Sequence, residues 1–312
     1  MTTRAPGAGR LVAVAHFRVF ERPGGGNPCP IVGDATSLSA EEMQRIAAHL
    51  GEESGFVCHE EDGGLRLRYF MPKREVAMCV HATVAAATWL VLTGKAPPAG
   101  EQRVRTESGE CLVSWDAGED ASSPRVTVEQ QPPWFGKPFG VGVATAAQRA
   151  LRLAGCVDKR LPIRAVSVST PKLLVPLLDA SLVHRVAPDF DLLSELCEDL
   201  GTTGAYVFAP RPDGIPGHFV ARQFPTGGGV EEDAATGVAA GALAAYVADQ
   251  EWAGASAASW RAIEIDQGDA MGCPCRLEAA AYAGGGVVLR TTVTGRASLT
   301  REEELELSAV PE

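Results

Sequence analysis

The sequence is short of positive charge. Its 28 Lys and Arg face 39 Asp and Glu, a net charge of −11 at pH 7, which works against capture of nucleic acid phosphates or anionic lipid. Any anionic ligand must therefore be held by local donors. Long apolar runs are missing too, since the longest, around Ala85 to Leu92, is far too short to span a bilayer. Met1 to Arg10 lacks the apolar stretch of a secretory signal, so the expected location is the cytoplasm. Paired metal-ligand motifs are absent: the 8 cysteines are scattered, Cys273 and Cys275 stand closer than usual zinc ligands, and the 6 histidines form no pair. No phosphate-binding loop precedes a helix, because Gly24-Gly25-Gly26 leads into Pro28, which forbids one there. The expectation is an enzyme without metal or cofactor. A structural role has little support, because heptads and low-complexity tracts are lacking as well.

What the chain has is size and self-similarity. Its 312 residues, 46% hydrophobic, suffice for two ordinary cores. Leu50-Gly51-Glu52-Glu53-Ser54-Gly55-Phe56-Val57 lines up with Leu200-Gly201-Thr202-Thr203-Gly204-Ala205-Tyr206-Val207, an offset of 150 residues. Each block follows an amphipathic helix; Ser39 and Glu42 make a capping box for the first, and Leu192, Leu193, Leu196 and Leu200 stripe the second. Arg68-Tyr69-Phe70 and Arg222-Gln223-Phe224 then precede two Ala-rich segments, Thr83 to Leu92 and Val238 to Val247. Those segments are apolar all round and must be buried on every side. The reading is an α+β fold of two pseudo-symmetric lobes, residues 1–125 and 126–312, with the extreme C-terminus free to return to the first. Each lobe wraps a mostly antiparallel sheet around a central buried helix. Pseudo-symmetry then points both helix starts at one cleft, where free amides and aligned dipoles suit a carboxylate.

Several residues near that cleft carry chemistry. Glu53 follows a helix end, and its repeat mate is Thr203, so the acid exists in one copy only. Pressed into a cleft it has the raised pKa of a proton shuttle, whereas on an open loop it is a solvated side chain beside Glu52. Asp233, next to Glu232, reads either as a helix cap or as a substrate ligand. Cys79 and His81 precede the first buried helix, where the dipole favours a thiolate; packing accounts for them equally well. Asn27, between Gly26 and Pro28, is a turn residue or a donor to a substrate carboxylate.

These pieces resemble the phenazine-biosynthesis PhzF-like family of the diaminopimelate epimerase fold. The run Gly25-Gly26-Asn27-Pro28 is similar to its opening Gly-Asn-Pro motif, and Glu53 with Phe56-Val57 to its Ser-Glu-Thr-x-Phe-Val segment. Cys79-Val80-His81-Ala82-Thr83 resembles Cys-Gly-His-Ala-Thr, and Glu232-Asp233-Ala234-Ala235-Thr236-Gly237 resembles Glu-Asp-Pro-Ala-Thr-Gly. Gln267-Gly268 with Met271-Gly272 and Pro274 is similar to a later motif. The resemblance implies a cofactor-independent isomerase that transfers a proton at carbon and is homodimeric in many members; with the charge and hydropathy above, the expectation is a cytoplasmic enzyme for a small carboxylate that binds neither nucleic acid nor membrane. It implies Glu53 as acid/base, His81 and Asp233 as groups that hold or polarise substrate, and carboxylate binding at Thr83 and at Thr236-Gly237. One thiol of the two-thiol epimerases falls on Cys79 and the other on Ala234, which disfavours a symmetrical racemase. Val80 replaces the usual Gly and is expected to crowd a carboxylate at the helix start. Two alternatives remain: an epimerase or dehydratase with Cys79 as base, and a catalytically silent binding protein on the same fold.

Overall fold

A computed structural model describes residues 10–120, 122–227, 229–252 and 258–310. The Met1 to Arg10 segment thus falls almost wholly outside the described residues. The first half of the chain runs β1 (Leu11–Val19), β2 (Asn27–Val32), α1 (Ala40–Leu50), β3 (Ser54–His59), β4 (Leu65–Met71), β5 (Arg74–Val76), α2 (Val80–Leu92), β6 (Ala99–Thr106), β7 (Gly109–Asp116) and β8 (Arg125–Glu129). It continues with β9 (Trp134–Phe135), α3 (Val141–Ala150), β10 (Arg164–Ser167), β11 (Pro171–Pro176), α4 (Ala180–Arg185), α5 (Phe190–Asp199), β12 (Gly204–Pro210) and β13 (His218–Pro225). The remainder is α6 (Gly237–Trp252), β14 (Ser259–Gln267), β15 (Cys275–Gly284), β16 (Val287–Gly295) and β17 (Ala297–Glu306).

The strands pair in two matching series. One runs β17, β1, β2, β3, β4, β6, β7, β8. The other runs β9, β10, β11, β12, β13, β14, β15, β16. Both follow the same succession of senses, parallel only at the third and fifth junctions, where a helical crossover joins the strands. The series meet at the antiparallel β8–β16 seam. Because β17 comes back from the end of the chain to flank β1, each series borrows its first strand from the far side of that seam.

Each sheet curls around its own helix, giving the two-lobed α+β architecture expected from the repeat. Between them α2 and α6 line one continuous core that spans both lobes. From Val80 to Thr88 every side chain of α2 is buried, and small Ala residues at positions 82, 85, 86 and 87 let the strands close in. The amphipathic helices pack outside the sheets. On one side α1 buries Met43, Ile46 and Ala47, with the Ser39 and Glu42 capping box in place and Gly51 closing it at φ 71°. On the other, α5 buries Leu193 and Cys197. No helix among the described residues is long and apolar enough to cross a membrane.

Candidate active site

The first turns of α2 and α6 touch. A Cβ placed on Gly237 would lie 2.4 Å from the Cβ of Val80, so only glycine lets the two helix starts approach this closely. The first-turn amides of Val80 and His81, and of Gly237 and Val238, have no carbonyl behind them within their helices. They border a cleft of about 280 Å³ that is also lined by Glu53, Cys79, Lys172, Gln223, Asp233 and Thr236.

Glu53 reaches the cleft from the loop between α1 and β3. Its carboxylate, the Cys79 sulfur and a ring nitrogen of His81 all lie within 4.8 Å of one another, and Cys79 Sγ is 3.3 Å from His81 Nδ1. Burial raises the Glu53 pKa above its ordinary value and the Asp233 charge raises it further, while His81, the Cys79 thiol and Lys172 pull the other way. Cys79 departs from the thiolate expectation. Burial pushes its pKa well above the usual thiol range, the Glu53 charge adds to that, and the one amide its sulfur accepts, from Ala82 at 3.4 Å, does not offset them. The same three donors make a set that suits a soft divalent cation.

Asp233 is the most firmly positioned group in the site. Its Oδ1 accepts from Asn27 Nδ2 at 2.8 Å and from the Ala235 amide at 3.4 Å, and its Oδ2 accepts from the Thr236 hydroxyl. Gln267 Nε2 donates to the Asp233 carbonyl at 2.7 Å while its Oε1 accepts from Tyr206 and from the Thr236 amide. Glu232 is drawn away into a two-pronged ion pair with Arg222, 2.7 Å on each arm. Arg68 and Glu75 repeat that fork in the first lobe at the same 2.7 Å. In both lobes the Arg-x-Phe motif thus anchors the segment that enters the buried helix.

Two sequence expectations need correction. Asn27 is 6% exposed, donates to Asp233 and to the Ala235 carbonyl, and is not among the residues that line the cleft, so it positions Asp233. Thr83 is fully buried one turn inside α2: its amide and hydroxyl both donate to the Cys79 carbonyl, and Tyr69 shares its hydroxyl at 2.8 Å. The α2 start is therefore at Val80, because the Cys79 side chain caps the helix earlier than the repeat alignment implies. Val80 is 1% exposed, its branched side chain packs against Gly237, and the residue lines the cleft at the helix start.

Two residues escaped the sequence reading. Lys172, the second residue of β11, is 7% exposed in a strand otherwise made of apolar residues, and burial pulls its pKa down to about 8 against the pull of Asp233 and Glu53. Gln223 sits in the middle of the second Arg-x-Phe motif and is 0% exposed. A lysine inside the run Pro171-Lys172-Leu173-Leu174-Val175 was the available signal.

Residues 18–303 match the family described as phenazine biosynthesis-like protein. An uncharacterized isomerase of Deinococcus radiodurans is 35% identical over 300 residues, 94% of this chain and 93% of that one. The trans-2,3-dihydro-3-hydroxyanthranilate isomerase of Pseudomonas aeruginosa is 28% identical over 298 residues, 94% and 98% of the two chains. The crystal structure of the Bacillus anthracis phenazine biosynthesis protein of the PhzF family superimposes with a TM-score of 0.82 at 25% identity, covering 95% and 99% of the chains. A hydroxyproline epimerase from Agrobacterium vitis shares the fold alone, with a TM-score of 0.64 at 10% identity over 95% and 92%.

Proposed function

The chain belongs to the phenazine biosynthesis-like (PhzF) family of isomerases and epimerases, and on that premise we propose that it shifts a proton between two carbons of a small carboxylate metabolite without a cofactor. Glu53 carries the proton. The observation that supports this role is its placement: a half-buried carboxyl with a raised pKa, beside His81 and facing Asp233, next to two helix starts with unpaired amides. An ionised Glu53 takes a proton from a carbon alpha or vinylogous to an electron-withdrawing group. The charge left on the substrate spreads towards its carboxylate, which the first-turn amides of α2 and α6 hold and stabilise. Protonated Glu53 then returns the proton to the second carbon. No net proton is gained or lost. Asp233, held by Asn27, Thr236 and Gln267, orients a hydroxyl or amine of the substrate.

Cys79 is a poor rival as the base, because a thiol kept protonated by burial and by the Glu53 charge lacks the thiolate that epimerisation needs. The cleft is not filled by side chains although Val80 lines it, which works against a silent binding protein. The test is deuterium incorporation from D2O, followed by mass spectrometry, with trans-2,3-dihydro-3-hydroxyanthranilate and a panel of small unsaturated or hydroxylated amino acids. Glu53→Gln should cut exchange by about 100-fold or more while ligand binding persists. Unchanged exchange in Glu53→Gln, with loss in Cys79→Ser, overturns the assignment.

A further inference from the structure

We propose that Lys172 and Gln223 form a second recognition subsite in the cleft, so that the substrate carries a second anionic group, a carboxylate or its equivalent, besides the one held at the helix starts. The proposal goes beyond the proton-shift reading and rests on it only for the carboxylate at the helix starts. Lys172 is 7% exposed, lines the cleft, and has neither a hydrogen bond nor an ion pair among the described residues. That is unusual. The other deeply buried cation of this lobe, Arg222 at 8% exposure, is forked to Glu232 and donates to two carbonyls as well. A buried ammonium without such contacts costs stability, and a ligand that supplies an anion removes the cost.

Gln223 points to the same conclusion independently. Both its amide nitrogen and its amide oxygen are buried without a hydrogen-bond partner, and the residue borders the cleft. Its counterpart in the first Arg-x-Phe motif, Tyr69, is satisfied by Thr83 at 2.8 Å. The two lobes therefore differ at this point: the first satisfies its central polar group internally, and the second leaves a buried amide without a partner. Gly204, at φ 139°, makes room for it, since a Cβ there would stand 2.6 Å from Gln223 Nε2. The groups whose charge reaches Lys172 are Asp233, Glu53, Arg74 and Cys197. None of the four is bonded to it. Arg74, donating to the Thr226 carbonyl at 3.0 Å, adds positive charge at the rim of the cleft.

An anion suits this corner better than a neutral acceptor, because a desolvated ammonium gains most from a charge-assisted hydrogen bond, and the unpartnered Gln223 amide beside it offers a second donor. The experiment uses the full chain and calorimetric titration at pH 6.5 with linear dicarboxylates from malonate to adipate, each set against the monocarboxylate of equal length. At least one dicarboxylate should bind tenfold or more tightly than its monocarboxylate partner. Lys172→Met and Gln223→Leu, checked for folding by circular dichroism, should each bring that ratio close to one. Equal binding of the two classes by the native protein overturns the subsite, as does a preference that survives in either folded variant. If the monocarboxylates themselves fail to bind, the helix-end carboxylate reading fails along with it; binding without a dicarboxylate preference fails the subsite alone.

Discussion

Replacing Lys172 by Met should make the unliganded protein more stable, and the gain should fade with rising pH. Met keeps the length of the side chain and removes the charge. The Lys172 pKa moves from 10.5 to about 8 on folding, and at about 1.4 kcal/mol per unit this amounts to about 3 kcal/mol. The sign follows from proton counts. Between the folded and unfolded values the unfolded chain holds the proton and the folded chain does not, so native stability rises with pH across that window. The contribution is fully present above 10.5 and is lost as pH falls through about 8. Lys172→Met does not titrate there. Urea unfolding of both proteins from pH 6.5 to pH 10, at constant ionic strength, should show the variant ahead by up to about 3 kcal/mol near neutrality. Its lead should shrink by about 1.4 kcal/mol per pH unit above pH 8. Groups that titrate in alkali away from Lys172 are common to both proteins and cancel in the difference; Cys197, whose pKa Lys172 lowers, is replaced by Ala in both. A pH-independent difference, or a variant less stable than the native protein at pH 7, refutes the claim that an unpaired ammonium is buried in the cleft wall.

Glu53 is held above the ordinary carboxylate value of 4.5 by burial, so the stability its protonation contributes is present below 4.5 and is lost as pH rises through the raised value. Glu53→Gln should therefore unfold at higher urea than the native protein at pH 7 while losing exchange; lower stability contradicts the desolvated placement. In the same way kcat/KM should fall on the acid side along a limb centred above 4.5, and a limb at the usual carboxylate position in a pH–rate profile removes Glu53 as the base. Dialysis against EDTA should leave exchange unchanged, whereas added Zn2+ should inhibit through Glu53, Cys79 and His81, with Cys79→Ser weakening the inhibition about tenfold. Gly237→Ala places a methyl group 2.4 Å from the Val80 Cβ, should cost about 1–3 kcal/mol by overpacking, and should regain stability and exchange when combined with Val80→Gly; a neutral Gly237→Ala in thermal melts rules out the contact.

Much of this architecture is readable in the chain because it is written twice. The offset between Leu50 and Leu200, and the paired Arg-x-Phe motifs, reflect one supersecondary unit used in each lobe, and Arg68 and Arg222 recur because both must anchor the segment that enters a buried helix. Glu53 is legible for the opposite reason: an acid facing Thr203 in the repeat breaks the symmetry, and a broken symmetry at a shared cleft is where function separates from packing. What the repeat could not convey is depth. It matched Thr83 to Thr236, yet one lies inside its helix and the other before its helix, because capping by the Cys79 side chain shifts the α2 start by a turn. It could not show that Asn27 and Gln267, 240 residues apart in the chain, converge on Asp233. Nor could it show Lys172. A lysine in an apolar strand reads as an edge position facing water, and only the curl of the second sheet against the first lobe turns that side chain inward, beside an amide that also has no partner. Polar groups that folding leaves unsatisfied are invisible to periodicity, because a pattern records what the chain satisfies by itself and not what it reserves for a ligand.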